Sequence, residues 1–192
     1  MIKLKGLSHI NIVVEDINSG IEYYKKIFNA IPLQQFSNFK NVGFAKSAGF
    51  IDRPETVDVS IVFLQLPNTN VTIELMDYHN PQGINKIETN KSTYQIGNVG
   101  HIALKVDNID SAFEYLKSSA EVKFISSHLE YQPYKIDNIT PKEFKFFDES
   151  LEQRTEEKQK VCDIISNIKY FYFVDKYGIQ WELEEGHSDI GE

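Results

Sequence analysis

The sequence contains two copies of one pattern that begin 92 residues apart. Residues 7–25 read LSHINIVVEDINSGIEYYK, and residues 99–117 read VGHIALKVDNIDSAFEYLK. The two segments align without a gap and are identical at eight of nineteen positions, among them His9 with His101. Because self-similarity at a fixed offset is the mark of a fold assembled from similar units, the repeat predicts two modules of one design.

Each copy starts with a short apolar run and continues with an amphipathic pattern. Residues 9–14 and 101–106 are rich in β-branched residues and are typical of strands. Asp16 and Asn108 then stand one residue before apolar residues spaced at the helical period, which predicts that a helix starts there. The sequence therefore predicts a strand followed by a helix at the start of each copy.

The two copies also end alike. The segments VTIELMDY (71–78) and IQWELEEG (179–186) place Glu74 and Glu182 at matching points, 108 residues apart. Because this offset is larger than the initial 92, the second copy carries an insertion. The strands predicted between the two ends are 31–37, 58–67 and 71–78 in the first copy, and 121–126, 169–175 and 179–185 in the second. Each copy therefore reads as β-α-β-β-β.

The repeat also sets the predicted organisation of the chain. A first module, a linker, a second module and an insertion within it are expected at 1–80, 81–97, 98–192 and about 127–168. Outside the repeat, residues 38–57 are predicted to form a long loop, and residues 148–167 a helix with a solvated start and an anchored end. Insertions of this length are often lids or binding loops, and about as often surface segments without a specific function.

The composition argues against several classes of function. With 20 Lys and Arg against 28 Asp and Glu, the formal charge is −8, which disfavours a nucleic-acid or anionic-lipid partner. The single cysteine, Cys162, rules out an intrachain disulfide and a Cys-rich zinc site. No segment approaches the roughly 18 apolar residues of a membrane span, and the first ten residues lack the apolar run of a signal peptide. We therefore expect a cytoplasmic protein with no nucleic-acid and no membrane partner.

The repeat places four candidate metal ligands at matched points. Each His stands at the start of the first strand of its copy, and each Glu lies on the last strand between apolar neighbours. A lone strand His or Glu is usually packed or solvated, but the recurrence of both types at corresponding places favours a metal site. An isolated carboxylate buried among apolar groups is costly, and convergence on a divalent ion would compensate it. Two imidazoles and two carboxylates suit Zn, Ni, Co, Mn or Fe(II). The candidates are His9, Glu74, His101 and Glu182.

The HIxxxV-xxI starts and the VTIEL and DKYGIQWELEE ends resemble the vicinal oxygen chelate superfamily. This superfamily includes glyoxalase I, methylmalonyl-CoA epimerase, extradiol dioxygenases and fosfomycin or bleomycin resistance proteins. The resemblance covers roughly 7–126 and 168–186. It implies an α+β fold in which two paired βαβββ modules form a curved, mainly antiparallel sheet around a metal site. It also implies a homodimer, with the pocket built from modules of one chain or of two. By position, the family's ligands fall on His9, Glu74, His101 and Glu182.

This ligand set resembles that of bacterial nickel- or cobalt-type glyoxalases. The resemblance implies a divalent-metal-dependent isomerase, epimerase or lyase that acts on a small oxygenated substrate through a metal-bound enediolate. Glu182, or Glu74 from the opposite face, would be the catalytic residue that moves a proton next to a carbonyl. The chain departs from those glyoxalases at Val13 and Tyr78, where they place Arg and Asn.

Two alternative functions stay open. An Fe(II)-dependent extradiol-type dioxygenase would hold iron with two His and one Glu, and Tyr170, Tyr172 or His128 would assist. A non-catalytic small-molecule binding or resistance protein would bind no divalent ion. In the aromatic run at 170–173, Tyr and Phe alternate, as they do in a strand whose two faces have different surroundings. Core packing is therefore the expected role of these rings.

Overall fold

The computed structural model describes residues 7–84, 86–89, 99–136 and 139–186. The chain divides into two compact units, Met1–Lys86 and Ile87–Glu192. Their boundary falls inside the segment that the sequence suggests as a linker, 81–97. Each unit combines helices with mostly antiparallel strands, so the predicted α+β fold class is confirmed.

The first unit contains one β-α-β-β-β module. Its strands are β1 (Ile10–Val13), β2 (Ile31–Phe39), β3 (Asp58–Gln65) and β4 (Thr72–Asn80). Its helices are α1 (Ile17–Phe28) and α2 (Val42–Ser47), and a turn of 3-10 helix, Pro54–Thr56, precedes β3. The sheet order is β1-β4-β3-β2, in which β1 and β4 are parallel and the other neighbours antiparallel.

Helix α1 packs closely against one face of this sheet. Its start is fixed by Asp16, whose Oδ1 accepts a hydrogen bond from the Ser19 backbone N–H at 2.7 Å, as an N-cap residue does. Gly20 allows the close approach, because a Cβ at this position would lie 3.0 Å from Leu75 Cδ1. The Tyr24 side chain is fully buried. The predicted strand and helix at the start of the first copy are therefore present.

The second unit repeats the module and adds an insertion. The repeated elements are β5 (Ile102–Lys105), α3 (Ile109–Lys117), β6 (Lys123–Phe124), β8 (Lys169–Val174) and β9 (Gln180–Glu185). The insertion contributes β7 (Tyr134–Lys135), α4 (Glu149–Glu152) and α5 (Thr155–Ile165). The sheet order is β5-β9-β8-β6, with β7 also paired to β8, and β5 is again parallel to its neighbour β9.

The insertion interrupts the strand that corresponds to β2. Where the first unit has nine residues in β2, the second has β6 and β7, with two residues each, on the same strand β8. The predicted strand 121–126 is therefore shorter than expected. The ladder ends at Ile125, and the Tyr131 hydroxyl then accepts a hydrogen bond from the Tyr172 backbone N–H at 2.8 Å. The Tyr131 side chain thus replaces β6 as the hydrogen-bond partner of the Tyr172 backbone N–H in β8.

Both segments outside the repeat contain helices. The predicted loop at 38–57 contains α2, whose N-cap Asn41 accepts a hydrogen bond from the Phe44 backbone N–H at 2.8 Å. The predicted helix at 148–167 is present as α4 and α5, and the buried Cys162 anchors its end as expected. No helix in the part of the chain that the structure describes is long and apolar enough to cross a bilayer.

A buried carboxylate shapes the turn between β8 and β9. Asp175 is 1% exposed, and its Oδ1 accepts hydrogen bonds from the backbone N–H groups of Tyr177 and Ile179, both at 2.9 Å. Its Oδ2 accepts a third from Trp181 Nε1 at 2.9 Å. Gly178 supplies the left-handed residue of this turn, with φ of 77°. The turn therefore fixes how β9 follows β8.

Each sheet has two chemically different faces, because alternate residues of a strand lie on opposite sides. In the first sheet Leu75 packs beneath α1 and is fully buried, whereas Glu74 lies on the other face. In the second sheet Phe171 contacts Phe113 of α3, with ring centroids 5.1 Å apart, and Glu182 lies on the other face. We call the faces that carry Glu74 and Glu182 the two site faces.

Candidate metal centre

In the first unit, His9 and Glu74 form a close pair. His9 lies one residue before β1, and the parallel register places Asn11 of β1 opposite Glu74 of β4. Since residues two apart share a face, His9 and Glu74 lie together on the site face. His9 Nε2 is 3.2 Å from Glu74 Oε2. The Glu74 side chain is 9% exposed and that of His9 is 37% exposed, so the imidazole remains accessible above a buried carboxylate.

The second unit builds the same pair from the same register. His101 lies one residue before β5, and Ala103 stands opposite Glu182 of β9. His101 Nε2 is 3.1 Å from Glu182 Oε2, with side-chain exposures of 42% and 11%. The two copies therefore have the same local geometry as well as similar sequences. In each copy two strands pair in parallel, and the His lies two residues before the residue that stands opposite the Glu.

The first carboxylate is also held by an amide. Asn11 Nδ2 donates hydrogen bonds to Glu74 Oε2 at 3.1 Å and to the Glu74 backbone carbonyl at 3.3 Å. The equivalent residue of the second unit is Ala103, which has no polar side-chain atom. The first carboxylate is therefore oriented from β1, and the second cannot be oriented from β5 in the same way.

The second carboxylate is held by a phenol instead. Tyr172 of β8 lies directly opposite Glu182 and donates its hydroxyl hydrogen bond to that carboxylate. The Tyr172 ring is 5.1 Å from the His101 ring, between centroids. The residue opposite Glu74 is Phe63 of β3, which lacks a hydroxyl group. Glu74 is thus held from its parallel neighbour β1, whereas Glu182 is held from its antiparallel neighbour β8.

Burial and charge raise the pKa of two tyrosines on the site faces. The pKa of Tyr172 is raised first by burial and then by the hydrogen bond to Glu182. The pKa of Tyr78, on β4, is raised by burial and by the negative charge of Glu74. Both hydroxyls therefore keep their protons at neutral pH, and Tyr172 remains a donor to Glu182.

Each pair has the donor chemistry and spacing that a divalent ion requires. Two donor atoms that each lie about 2.1 Å from one ion, at roughly a right angle, are about 3 Å apart. The 3.2 Å and 3.1 Å separations of the two His–Glu pairs match this spacing. Imidazole nitrogen and carboxylate oxygen are ligands for Zn, Ni, Co, Mn and Fe(II). Within the described residues no three His, Cys, Asp or Glu side chains gather to hold a metal. Each unit instead offers two candidate ligands, and we call each His–Glu pair a candidate half-site.

The other histidines lie elsewhere. His79 Nε2 is 2.8 Å from Ser60 Oγ on the face opposite Glu74. His128 lies in the insertion beside Glu130, with their nearest charged atoms 4.0 Å apart. His187 lies outside the described residues. The sequence analysis does not count these three among the candidate ligands, and no described contact joins either His79 or His128 to a half-site.

Sequence reasoning named the four candidate ligands but missed Asn11 as a partner of Glu74. The signal was present, since Asn11 is two residues after His9 and on the same predicted face. Tyr172 was considered only as an assisting residue for a dioxygenase. Its hydrogen bond to Glu182 depends on the register of β8 against β9, which no local pattern reveals.

A family model matches more than half of the chain. The family model described as the Glyoxalase/Bleomycin resistance protein/Dioxygenase superfamily matches residues 6–134. This range contains both histidines of the half-sites and Glu74. Among curated proteins, none matches this chain.

Two solved structures of low sequence identity share the fold, and a third is a weaker match. A glyoxalase family protein from Bacillus cereus is 16% identical, covers 97% of this chain and 97% of its own, and has a TM-score of 0.63. A glyoxylase/bleomycin resistance protein/dioxygenase domain from Frankia sp. EAN1pec is 14% identical, covers 96% and 100%, and has a TM-score of 0.52. The fosfomycin resistance protein FosX from Listeria monocytogenes, solved with Mn(II) and sulfate, is 16% identical, covers 99% and 98%, and has a TM-score of 0.45.

Proposed function

Because the chain belongs to the Glyoxalase/Bleomycin resistance protein/Dioxygenase superfamily, we propose that it is a divalent-metal-dependent enzyme whose two His–Glu pairs hold one ion. The observation that carries the proposal is the repetition of one contact. His9 with Glu74, and His101 with Glu182, are paired at 3.2 and 3.1 Å by equivalent strands of two equivalent units. A repeated pair of half-sites is expected where both halves serve one centre.

The proposed reaction is an isomerisation, epimerisation or lyase step on a small oxygenated substrate. An ion bound by the four side chains would supply Lewis-acid polarisation of two neighbouring substrate oxygens. Glu182 is proposed to accept a proton from the carbon next to the substrate carbonyl, and to return it to that carbon or to its neighbour. Its position suits this role, because the carboxylate lies beside the His101 imidazole at 3.1 Å and is oriented by the Tyr172 hydroxyl.

The remaining residues have positioning roles in this proposal. The Tyr172 hydroxyl holds the Glu182 carboxylate from β8, and Asn11 holds Glu74 from β1. Glu74 is the second candidate for proton transfer, from the opposite side of the substrate. The two carboxylates thus have different hydrogen-bond donors, which would let one bind more firmly than the other.

Proton exchange tests the role of Glu182 without knowledge of the natural substrate. Hydroxyacetone and 2-hydroxyacetophenone carry adjacent oxygens and exchangeable C–H groups, and their deuterium uptake from D₂O is followed by proton NMR with the metal-loaded chain. Glu182→Gln should reduce catalysed exchange by at least about a hundredfold, the usual contribution of a general base. Glu114→Gln, on the exposed side of α3, is the matched control and should leave the rate unchanged. Equal rates for the Glu182→Gln variant and the unsubstituted chain would refute the assignment.

An Fe(II)-dependent dioxygenase is the second candidate, favoured by the position of Tyr172. Its hydroxyl lies beside the His101–Glu182 half-site, where it could hydrogen-bond a hydroxyl group of a catechol substrate. Oxygen uptake by the Fe(II)-loaded chain with a catechol panel separates the two reactions. Stoichiometric uptake would favour the dioxygenase, whereas exchange without uptake would favour proton transfer.

The expected homodimer stays a prediction, and subunit mixing tests whether the two half-sites come from different chains. His9→Ala and His101→Ala each destroy one half-site. If the centre is shared between subunits, a mixed dimer of the two variants rebuilds one complete centre and regains tight metal binding. If both half-sites of a centre come from one chain, the mixture binds no better than its components.

A further inference from the structure

The insertion interrupts a strand ladder directly beside the second half-site. On β8, Phe173 pairs with β6 and Tyr170 pairs with β7, and neither short strand faces Tyr172 in the register. In the first unit the equivalent residue, Phe63, is paired with the nine-residue strand β2. The backbone N–H of the residue that stands opposite Glu182 is therefore paired in a different way from that of its counterpart in the first unit.

The hydroxyl group of Tyr131, in the insertion, binds both backbone polar groups of Tyr172. The Tyr172 N–H donates to the Tyr131 hydroxyl oxygen at 2.8 Å, and the Tyr131 hydroxyl donates to the Tyr172 carbonyl at 3.2 Å. Burial is the largest effect on the pKa of Tyr131 and raises it, so the hydroxyl keeps its proton at neutral pH. One side chain of the insertion thus holds the backbone of the residue whose own hydroxyl donates to Glu182.

The ring of Tyr131 is itself fixed by an aromatic cluster on the α3 side of the sheet. Its centroid lies 5.9 Å from that of Phe124 in β6 and 6.2 Å from that of Phe113 in α3. Phe113 and Phe124 are stacked at 4.4 Å, and Phe113 meets Phe171 edge to face at 5.1 Å. The Tyr131 backbone N–H also donates to the His128 carbonyl at 3.0 Å. Because ring and backbone are both confined, the hydroxyl is held at the edge of β8.

The Tyr172 side chain connects this edge of the sheet to the second half-site. A strand side chain stands roughly perpendicular to the sheet, so the position of the Tyr172 backbone decides where its hydroxyl lies. The Tyr172 ring is 5.6 Å from the Tyr170 ring and 5.1 Å from the His101 ring, between centroids. Its hydroxyl donates to Glu182, which lies 3.1 Å from His101. A shift of β8 at Tyr172 would therefore move a donor away from the carboxylate.

We propose that Tyr131 is a positioning residue of the proposed metal centre, through which the insertion holds Tyr172 and thereby orients Glu182. This inference rests on the proposed function, because it takes His101 and Glu182 as ligands of the ion. It gives the insertion a role in ligand geometry. The first half-site has a different support, since the amide of Asn11 in β1 holds its carboxylate.

Hydrogen exchange at the Tyr172 backbone amide tests the first step of this inference. Tyr131→Phe keeps the ring in its cluster and removes only the hydroxyl group, and exchange is measured by NMR on the tag-free, metal-free full chain. We expect the Tyr172 amide to exchange at least about fivefold faster, because it loses its hydrogen-bond acceptor. Tyr134→Phe is the matched control, since the Tyr134 hydroxyl donates to the Glu130 carbonyl within the insertion. This control should leave exchange at Tyr172 unchanged.

A double-mutant cycle tests whether Tyr131 acts on the metal centre through Tyr172. Calorimetry measures Co²⁺ affinity for Tyr131→Phe, for Tyr172→Phe and for the chain that carries both substitutions. We expect the first to bind about threefold more weakly than the unsubstituted chain and the second about tenfold more weakly. The double variant should also bind about tenfold more weakly, because Tyr131 has nothing to position once the Tyr172 hydroxyl is absent. Independent effects would instead multiply to about thirtyfold.

The control and the outcomes separate this inference from the proposed function. Tyr134→Phe should bind Co²⁺ as the unsubstituted chain does, and urea unfolding verifies that each variant is folded. Unchanged Tyr172 exchange or unchanged Co²⁺ affinity in Tyr131→Phe, even with lower stability, would overturn the positioning role alone. Multiplied effects in the double variant would do the same. Failure of the unsubstituted chain to bind Co²⁺ would refute the proposed metal centre and this inference with it.

Discussion

At the scale of single residues, the two half-sites differ in how their carboxylates are held. Asn11 donates to Glu74 across a parallel strand pair, and Tyr172 donates to Glu182 across an antiparallel pair. Hydrogen bonds to a ligand from its surroundings fix its orientation and tune its affinity for metal. The two carboxylates are therefore expected to respond differently to removal of one donor.

Tyr172→Phe should weaken metal binding by about tenfold while leaving the fold intact. The substitution removes only the hydroxyl group that donates to Glu182, and it keeps the ring beside His101. Calorimetric titration with Co²⁺ measures the change. Tyr115→Phe, at a half-exposed position of α3, is the control and should bind as the unsubstituted chain does. Unchanged affinity in Tyr172→Phe would show that this hydrogen bond does not position the ligand.

At the scale of elements, the second half-site depends on the turn that joins β8 to β9. Asp175 accepts three hydrogen bonds there, including one from the indole of Trp181, which precedes Glu182. A buried carboxylate with this many partners organises its neighbours, and its loss leaves buried donors without acceptors. The geometry of Tyr172 and Glu182 thus depends on a residue outside the half-site.

Asp175→Ala should lower the free energy of unfolding by about 3 kcal/mol, because three donors lose a charged acceptor in the interior. Urea unfolding measures the loss. Asp107→Ala changes the same residue type at an exposed position and should alter stability by less than about 0.5 kcal/mol. Similar losses in the two variants would contradict the role given to the turn.

Gly186, directly after β9, is the second element-scale constraint. Its φ is 86°, and a Cβ there would collide with the backbone carbonyl oxygen of Asn167. Gly186→Ala should therefore destabilise the chain by about 1 to 3 kcal/mol. Gly83→Ala is the matched control, because a Cβ at Gly83 meets nothing within 4 Å. A decrease in Tm no larger than that of the control would show that the backbone at Asn167 can move away from an added Cβ at little cost in stability.

Elements were predictable from sequence where the signal is local. The caps Asp16 and Asn108, the helices they start and the last strand of each copy follow from periodicity and from residue types that favour N-caps. The split of one strand into β6 and β7 was not predictable, because it depends on where the insertion leaves the sheet. The partners of Glu74 and Glu182 were not fully predictable either, since strand register decides which residue stands opposite which.

At the scale of the whole molecule, duplication explains both the likeness and the difference of the two units. The matching His–Glu pairs and the identical strand order are what duplication of one module leaves. The insertion, the exchange of Asn11 for Ala103 and the exchange of Phe63 for Tyr172 distinguish the copies. The two site faces therefore retain the His–Glu pairs of the proposed centre and differ in the residues beside them.

The central claim is that two half-sites hold one divalent ion, and metal stoichiometry tests it most directly. Co²⁺ titration of the tag-free full chain, followed by calorimetry and visible absorption, should give one tightly bound ion per chain. His9→Ala and His101→Ala should each weaken that binding by more than about a hundredfold, because each removes a ligand of the same ion. Two ions per chain, no bound ion, or full affinity in either variant would contradict the account.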